Sequence, residues 1–416
     1  MSNNGKVTNN GNKSFNMMEG LPEPPAKGIY FDNNATTPVA PEVLEKMIPL
    51  LTDHFGNPSS MHSFGARAGD EVSEARDKVQ ALLGAAQLSE IVFTGGGSES
   101  DNLAIVGTLH ANPKKRHLIT TAVEHPAVLG LCRDLEKRHG YEVTYLKVDQ
   151  SGLLDLDELR ESLREDTAIV SVMMANNETG VIFDCEAIGS IVKQNGSIFH
   201  VDGVQAAGKL PLDMKSSTID LFSISGHKLH APKGVGALYV RKGTKIRPLI
   251  VGGHQERGRR AGTENVASLA GMGVACELSA ANIEHENTVV RALRDDLENG
   301  LLSAIPDSQA NGDLERRLPN TTNISFRYIE GEGILLLLDR VGVAASSGSA
   351  CTSGSLEPSH VLRAMGLPFT LTHGSIRFSL SRYNSRDEVE YVIKALPPII
   401  ERLRMITPFN EQRATF

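Results

Sequence analysis

From Ile29 onward short apolar runs alternate with longer amphipathic stretches, and this alternation constrains the fold more than any other feature of the chain. The runs are residues 90–94, 117–121, 143–148, 168–174, 197–201 and 221–225, with a further one at 237–240. Helical patterns such as 70–83 and 155–163 lie between them. Short β-rich runs spaced by helical stretches build βαβ units, so the pattern predicts an α/β fold with a mainly parallel seven-stranded sheet covered by helices. In such sheets ligands bind beyond the carboxyl ends of the strands, so the residues that close each run are the first candidates for chemistry.

The same reading divides the chain. Residues 1–28, rich in Asn, Gly, Ser and Lys, are expected to be a disordered tail. Residues 29–280 form the large domain, its first residues able to pack with the small domain. Residues 281–416 form a smaller C-terminal α/β domain with strands near 322–326 and 375–379 and helices near 331–341 and 386–405. After the Gly/Arg-rich loop 251–262 one long helix is expected through about residue 302.

With 416 residues and 40% apolar content, the chain has length for a large core. A net charge of −8 and no long basic run argue against nucleic acid as a partner. No apolar run is long enough for a bilayer, the tail lacks the apolar core of a secretion signal, and four cysteines in so long a chain fit a reducing cytoplasm better than a disulfide scaffold. None of the four cysteines lies in a CxxC pair, which disfavours a structural metal site.

Two strand ends carry the strongest chemical signal. The run 221–225 closes on Ser225-Gly-His-Lys228, and the run 197–201 closes on Asp202. A desolvated lysine loses its proton more easily and can form a Schiff base. Pyridoxal phosphate needs such a lysine for its aldehyde and a carboxylate for its pyridine nitrogen. Gln205 can donate to the phenolate oxygen of the same ring. Gly95-Gly-Gly97-Ser98 follows a strand and opens a helix, where free amides attract a phosphate; a plain glycine turn capped by Ser98 is the competing reading. His125, after Glu124, can lie over a ring and move protons, although a lone histidine is more often structural. Asn177 closes another run. Arg257, Arg259 and Arg260 suit an anion or a subunit interface. Arg377 sits in an apolar strand and suits a substrate carboxylate. Residues 346–355 surround Cys351 with only Ser, Gly, Ala and Thr, the composition of a flexible loop that would expose a nucleophilic thiol. Cys132, Cys185 and Cys276 lie among apolar or helical residues and read as inert.

These residues carry a resemblance. From about Tyr30 to about Arg404 the chain resembles the pyridoxal-phosphate-dependent cysteine desulfurases of the NifS/IscS type. The ordered blocks are Asp32-Asn-Asn-Ala-Thr-Thr-Pro38, Gly56-Asn-Pro-Ser-Ser60, Glu124-His125, Asn176-Asn-Glu178, Ser225-Gly-His-Lys228, Arg260-Ala-Gly-Thr-Glu-Asn265, Ser346-Ser-Gly-Ser-Ala-Cys351 and Arg377-Phe-Ser379. The C-terminal part is more similar to NifS than to IscS.

The resemblance implies a fold-type-I pyridoxal-phosphate enzyme and a homodimer. It also implies roles. Lys228 holds the cofactor, Asp202 pairs with its ring nitrogen, Gln205 bonds the ring oxygen, and His125 stacks on the ring and serves proton transfer. Gly97, Ser98, Ser225 and His227 hold the phosphate, joined by Thr263 from the other subunit, and Asn177 contacts cofactor or substrate. Arg377, helped by Asn34, binds the carboxylate of L-cysteine. Cys351 takes the sulfur as a persulfide and L-alanine is left. The implied acceptor is an iron–sulfur scaffold protein of the NifU/IscU type, serving cluster assembly with nitrogenase clusters among the candidates, and the enzyme holds no metal of its own. A selenocysteine lyase or another fold-type-I enzyme is the alternative. Three places depart from the family pattern. The phosphate loop reads Gly95-Gly-Gly-Ser98 where a Ser-Gly-Ala-Thr run is expected, which predicts looser phosphate binding. Gly203 stands where an alanine packs beneath the ring, which predicts a weaker stack opposite His125. His254 stands where glycine is expected.

Overall fold

The computed structural model describes residues 20–347 and 358–407. Cys351 and the tail up to residue 19 lie outside the described residues. Twelve strands are described in chain order: β1 Ile29–Tyr30, β2 Ile91–Thr94, β3 His117–Thr121, β4 Glu142–Leu146, β5 Thr167–Met173, β6 Ile198–Asp202, β7 Leu221–Ser225, β8 Gly236–Val240, β9 Ser308–Ala310, β10 Thr321–Phe326, β11 Val343–Ala344 and β12 Ser375–Ser379.

The main sheet has seven strands in the order β2-β8-β7-β6-β5-β3-β4. Its strands pair in parallel except β8, which runs against both β2 and β7. The central strands β5 and β7 are buried along their whole length, as a sheet covered on both faces requires. The helices that cover it are α1 Pro41–Thr52, α2 Ser63–Leu83, α3 Gly97–Ala111, α4 Pro126–His139, α5 Leu156–Ser162, α6 Cys185–Asn195 and α7 Val266–Ala281. Helices α2, α4 and α6 each end on a glycine in the left-handed region, Gly84, Gly140 and Gly196.

A second hydrophobic core joins β10 and β12 to the helices Arg291–Ala304, Gly331–Arg340 and Arg386–Ile406. Ile29 and Phe31 belong to this core, because β1 pairs in parallel with β11. The N-terminal strand is therefore part of the small unit, and the chain crosses to the large one only after it.

The long helix expected after the loop is broken. Helix α7 stops at Ala281, and the helical stretch from Ile283 to Ala304 leaves it at 54°. The break has a packing cause: α7 packs in the core of the main sheet, whereas Val290, Leu293 and Leu297 pack in the second core. No single described helix is long and apolar enough to cross a membrane.

Candidate active site

Six of the seven strands of the main sheet run the same way, and five of them end at or lead into one site. β2 leads to Gly97, β3 to His125, β5 to Asn177, β6 ends on Asp202, and β7 leads to Lys228. β12 of the small unit faces this edge and adds Arg377. The turns enclose a cavity of about 480 Å³. Asn34, Gly97, Ser98, His125, Asn177, Asp202, Gln205, Ser225, His227, Lys228 and Arg377 all line it. Of the site residues expected from sequence, Thr263 lies apart, exposed beside a second cavity of about 200 Å³ with Gly95 and Arg260. Cys351 lies outside the described residues.

Each side chain is held for a physical reason. Gly97 begins α3 where an added Cβ would lie 2.8 Å from Val204 and 3.4 Å from the Ser225 Cβ, so glycine lets the helix N-terminus approach the cleft without displacing a neighbour. Asp202 is buried and accepts from the Val204 amide at 3.0 Å. Burial raises its pKa, while that amide and the Lys228 ammonium pull it back. Lys228 donates to the backbone oxygen of Asn34 and to that of Ala35 at 2.7 Å. Gln205 Nε2 donates to the same Asn34 oxygen at 2.9 Å, and its buried Oε1 has no partner among the described residues.

His125 caps α4: its Nδ1 accepts from the Ala127 amide at 3.1 Å. In the neutral ring the proton is therefore on Nε2. Burial, with Lys228 and His360 nearby, pushes its pKa down to about 4. Burial and the Lys228 charge likewise lower His227 to about 4, and its Nδ1 lies 3.1 Å from Thr36 Oγ1.

Arg377 is buried on β12. Its Nη1 donates to the Asn177 oxygen at 2.9 Å and its Nη2 to Asp32 Oδ1 at 2.7 Å, while its buried Nε has no partner among the described residues. A guanidinium with a donor to spare suits a second carboxylate. Ser346 lines the cavity too, and its backbone pairs with Arg377 in both directions. The chain thus leaves for Cys351 from beside the arginine.

Several expectations from sequence change in the structure. Asn34 reaches the cavity, but its amide is engaged: Nδ2 donates to Thr321 Oγ1 at 2.8 Å and to the Asn177 oxygen at 3.2 Å, and Oδ1 accepts from Asn320. Its free contribution is the backbone oxygen that holds Lys228. Gly203 does not face the cleft; a Cβ there would lie 1.9 Å from the Phe222 ring, so the missing methyl makes room for a core phenylalanine rather than weakening a stack opposite His125. His254 is exposed with φ −91°, a conformation that needs no glycine. Arg260 pairs with Glu99 at 2.9 Å, and Arg259 donates to the Ser89 oxygen at 2.7 Å. Cys132, Cys185 and Cys276 are free and buried, and burial raises all three thiol pKa values, that of Cys132 and Cys276 to about 12.

Sequence reasoning missed Asp32 and Asp101, both of which line the cavity. Asp32 lies in a block that carries the resemblance, yet only the fold brings it to Arg377, 345 positions away. Asp101 lies one turn beyond Gly97 on α3, and its Oδ1 is 3.6 Å from His200 Nε2. Burial and the neighbouring Asp202 raise its pKa, and burial lowers His200 to about 3. Beneath the floor of the cleft, then, sit a buried acid and a buried imidazole, and the hydroxyls of Ser171 and Ser223 lie 2.8 and 3.0 Å from His200.

The comparisons with known proteins agree with this geometry. The model of the family described as aminotransferase class-V matches residues 29–392. A cysteine desulfurase of Nostoc sp. is 61% identical over 386 residues, covering 93% of this chain and 96% of that protein. The cysteine desulfurase NifS of Azotobacter vinelandii is 57% identical over 381 residues, covering 92% and 94%. The chain belongs to the class-V aminotransferases, as a cysteine desulfurase. Among solved structures, a NifS-like protein superposes with a TM-score of 0.84 at 40% identity, covering 91% of this chain and all of that one. The cofactor of this family is pyridoxal phosphate. The site fits it: a helix N-terminus opened by a glycine whose added Cβ would crowd Val204, a buried carboxylate, a lysine beside it, and a glutamine whose Nε2 carries a second N–H beyond the one given to Asn34.

Proposed function

We propose that this cysteine desulfurase moves the sulfur of L-cysteine onto Cys351 and hands it on to an iron–sulfur scaffold protein. The observation that carries the reading is the single cavity in which Lys228, Asp202 and Arg377 meet Ser346, the residue from which the chain runs on to Cys351. The bound cofactor supplies an electron-poor ring that withdraws electrons from the substrate α-carbon. Lys228 would hold it, Asp202 would face its ring nitrogen, Gln205 its ring oxygen, and Gly97, Ser98, Ser225 and His227 its phosphate.

The residues of the chain do the rest. Arg377, oriented by Asp32 and the Asn177 oxygen, takes the substrate carboxylate on its spare donor and so sets the direction in which the thiol points. His125, neutral and with its Nδ1 tied to the backbone, offers Nε2 to shuttle a proton. The Cys351 thiolate attacks the substrate sulfur: an S–S bond forms, the C–S bond breaks, and the carbon receives a proton. L-cysteine and the Cys351 thiol thus give L-alanine and a persulfide, with no outside oxidant or reductant.

A homodimer belongs to the same reading. Leu44, Ile48, Leu51 and Phe55 recur at helical spacing on and just past α1 and are half to two-thirds exposed, with Phe64 beside Phe55. Such a continuous apolar patch fits a second copy of the chain, and that copy would bring its exposed Thr263 to this site. A cytoplasmic setting keeps a persulfide thiol reducible. Mass analysis of the holoenzyme after one turnover with L-cysteine and no reductant tests the reading. One extra sulfur on the peptide containing Cys351 supports it; an unmodified Cys351 with alanine formed contradicts it.

A further inference from the structure

Three consecutive residues after β5 tie together parts of the site that are distant in sequence. Asn176 sets the turn: its Oδ1 accepts from the Glu178 and Thr179 amides at 2.9 and 3.0 Å, and its Nδ2 donates to the Val123 oxygen at 3.0 Å, two residues before His125. The Asn177 oxygen holds Arg377. The Glu178 oxygen accepts from Asn323 at 3.3 Å, and Asn323 is the β10 partner of Arg377 in the sheet. The Glu178 carboxyl group, itself buried, accepts from the hydroxyl of Ser359. The next residue, His360, bonds the Glu124 oxygen at 2.9 Å.

We infer that Glu178 is a positioning residue: by holding Ser359 it fixes, relative to Arg377, the point at which the chain returns from Cys351. The inference rests on the reading of Cys351 as sulfur acceptor and deepens it. Both ends of the stretch that carries Cys351 are then fastened to the arginine that holds the substrate. Ser346 is fastened through its backbone, and Ser359 through Glu178 and the turn that also binds Arg377. A helix cap alone does not need the acid. Ser359 Oγ already accepts from the Leu362 amide at 3.2 Å, whereas a fully buried carboxyl group is costly in a core. An acid kept there in spite of that cost has a partner to hold, and that partner is Ser359.

The test compares Glu178→Leu, Ser359→Ala and Glu178→Gln as holoenzymes. The rate of alanine formation in a single turnover reports sulfur transfer, and titration of the cofactor absorbance with L-cysteine reports substrate binding. Misplacing a reacting atom by about 1 Å costs on the order of 100-fold, so a fall of about 10- to 100-fold in alanine formation is expected for Glu178→Leu and Ser359→Ala. Affinity for L-cysteine stays within about twofold by the same argument, because Arg377 keeps its other contacts. Glu178→Gln, which retains an acceptor for Ser359, recovers most of the rate. A wild-type rate in Glu178→Leu, or a loss of cysteine affinity equal to the loss of rate, overturns the inference. Loss of activity in Cys351→Ala alongside a wild-type Glu178→Leu would refute only this inference, whereas an active Cys351→Ala would refute the reading beneath it.

Discussion

Gly203 follows Asp202 directly, and the direction of its absent side chain could not be read from the sequence. The sheet geometry after β6 turns that position toward Phe222, whose ring is fully buried. Gly203→Ala would overpack the core by about 1–3 kcal/mol. A thermal melt should show a lower midpoint, and Gly203→Ala with Phe222→Leu should recover it; an unchanged single variant would contradict the packing account. The neighbouring strand end carries a pH signature. Glu124 Oε1 accepts from Thr121 Oγ1 at 2.7 Å and from the Met173 amide at 3.0 Å, its Oε2 has no partner among the described residues, and burial raises its pKa to about 8. A carboxyl group whose folded pKa is raised contributes stability below its unfolded pKa and loses it as pH rises toward the folded value. Glu124→Gln keeps both hydrogen bonds and cannot ionise. Its apoprotein should therefore gain stability over the wild type as pH rises from about 5 to 8, by at most about 1.4 kcal/mol per pH unit. Parallel denaturation curves across that range would show that Glu124 is ionised throughout. Lys228, Asp202, His125 and Arg377 were legible because each closes or occupies an apolar run. Asp32 and Glu178 were not read as partners of Arg377 and Ser359, because the pairs lie 345 and 181 positions apart in sequence and only the folded chain brings them together.

Among the elements, α3 shows how a local sequence builds a binding surface. Gly97 places the first turn against Val204 and Ser225, and Gly97 and Ser98 of that turn line the cavity. An alanine there must displace one of these neighbours, and with it the anion site. Gly97→Ala should fold yet release its cofactor more readily, seen as a larger dissociation constant when apoprotein is titrated with pyridoxal phosphate. Equal constants would show that the close approach is not needed. The strands of the main sheet and most of its helices follow from the alternation of apolar runs, since each element satisfies its own period. The pairing of β1 with β11 and the bend between α7 and Ile283 did not follow. Both are set by which of two cores receives the apolar side chains, and local pattern carries no such address.

For the molecule as a whole, the two cores meet at the cleft, so Arg377 comes from one and Lys228 and Asp202 from the other. On the proposed reading, the apolar row on and just past α1 adds a third requirement, a second copy of the chain. Leu51→Glu with Phe55→Glu should give a monomer by sedimentation and weaken cofactor binding, because the partner's Thr263 is lost from the site; a dimer that persists would place the contact elsewhere. The central claim is that Cys351 takes the sulfur, and it is tested most directly by release of sulfide and alanine from L-cysteine, with reductant present, for the wild type and Cys351→Ala. The account predicts alanine in step with sulfide for the wild type, and neither from a variant that still binds its cofactor and shows the cofactor absorbance. A Cys351→Ala enzyme as active as the wild type would contradict it.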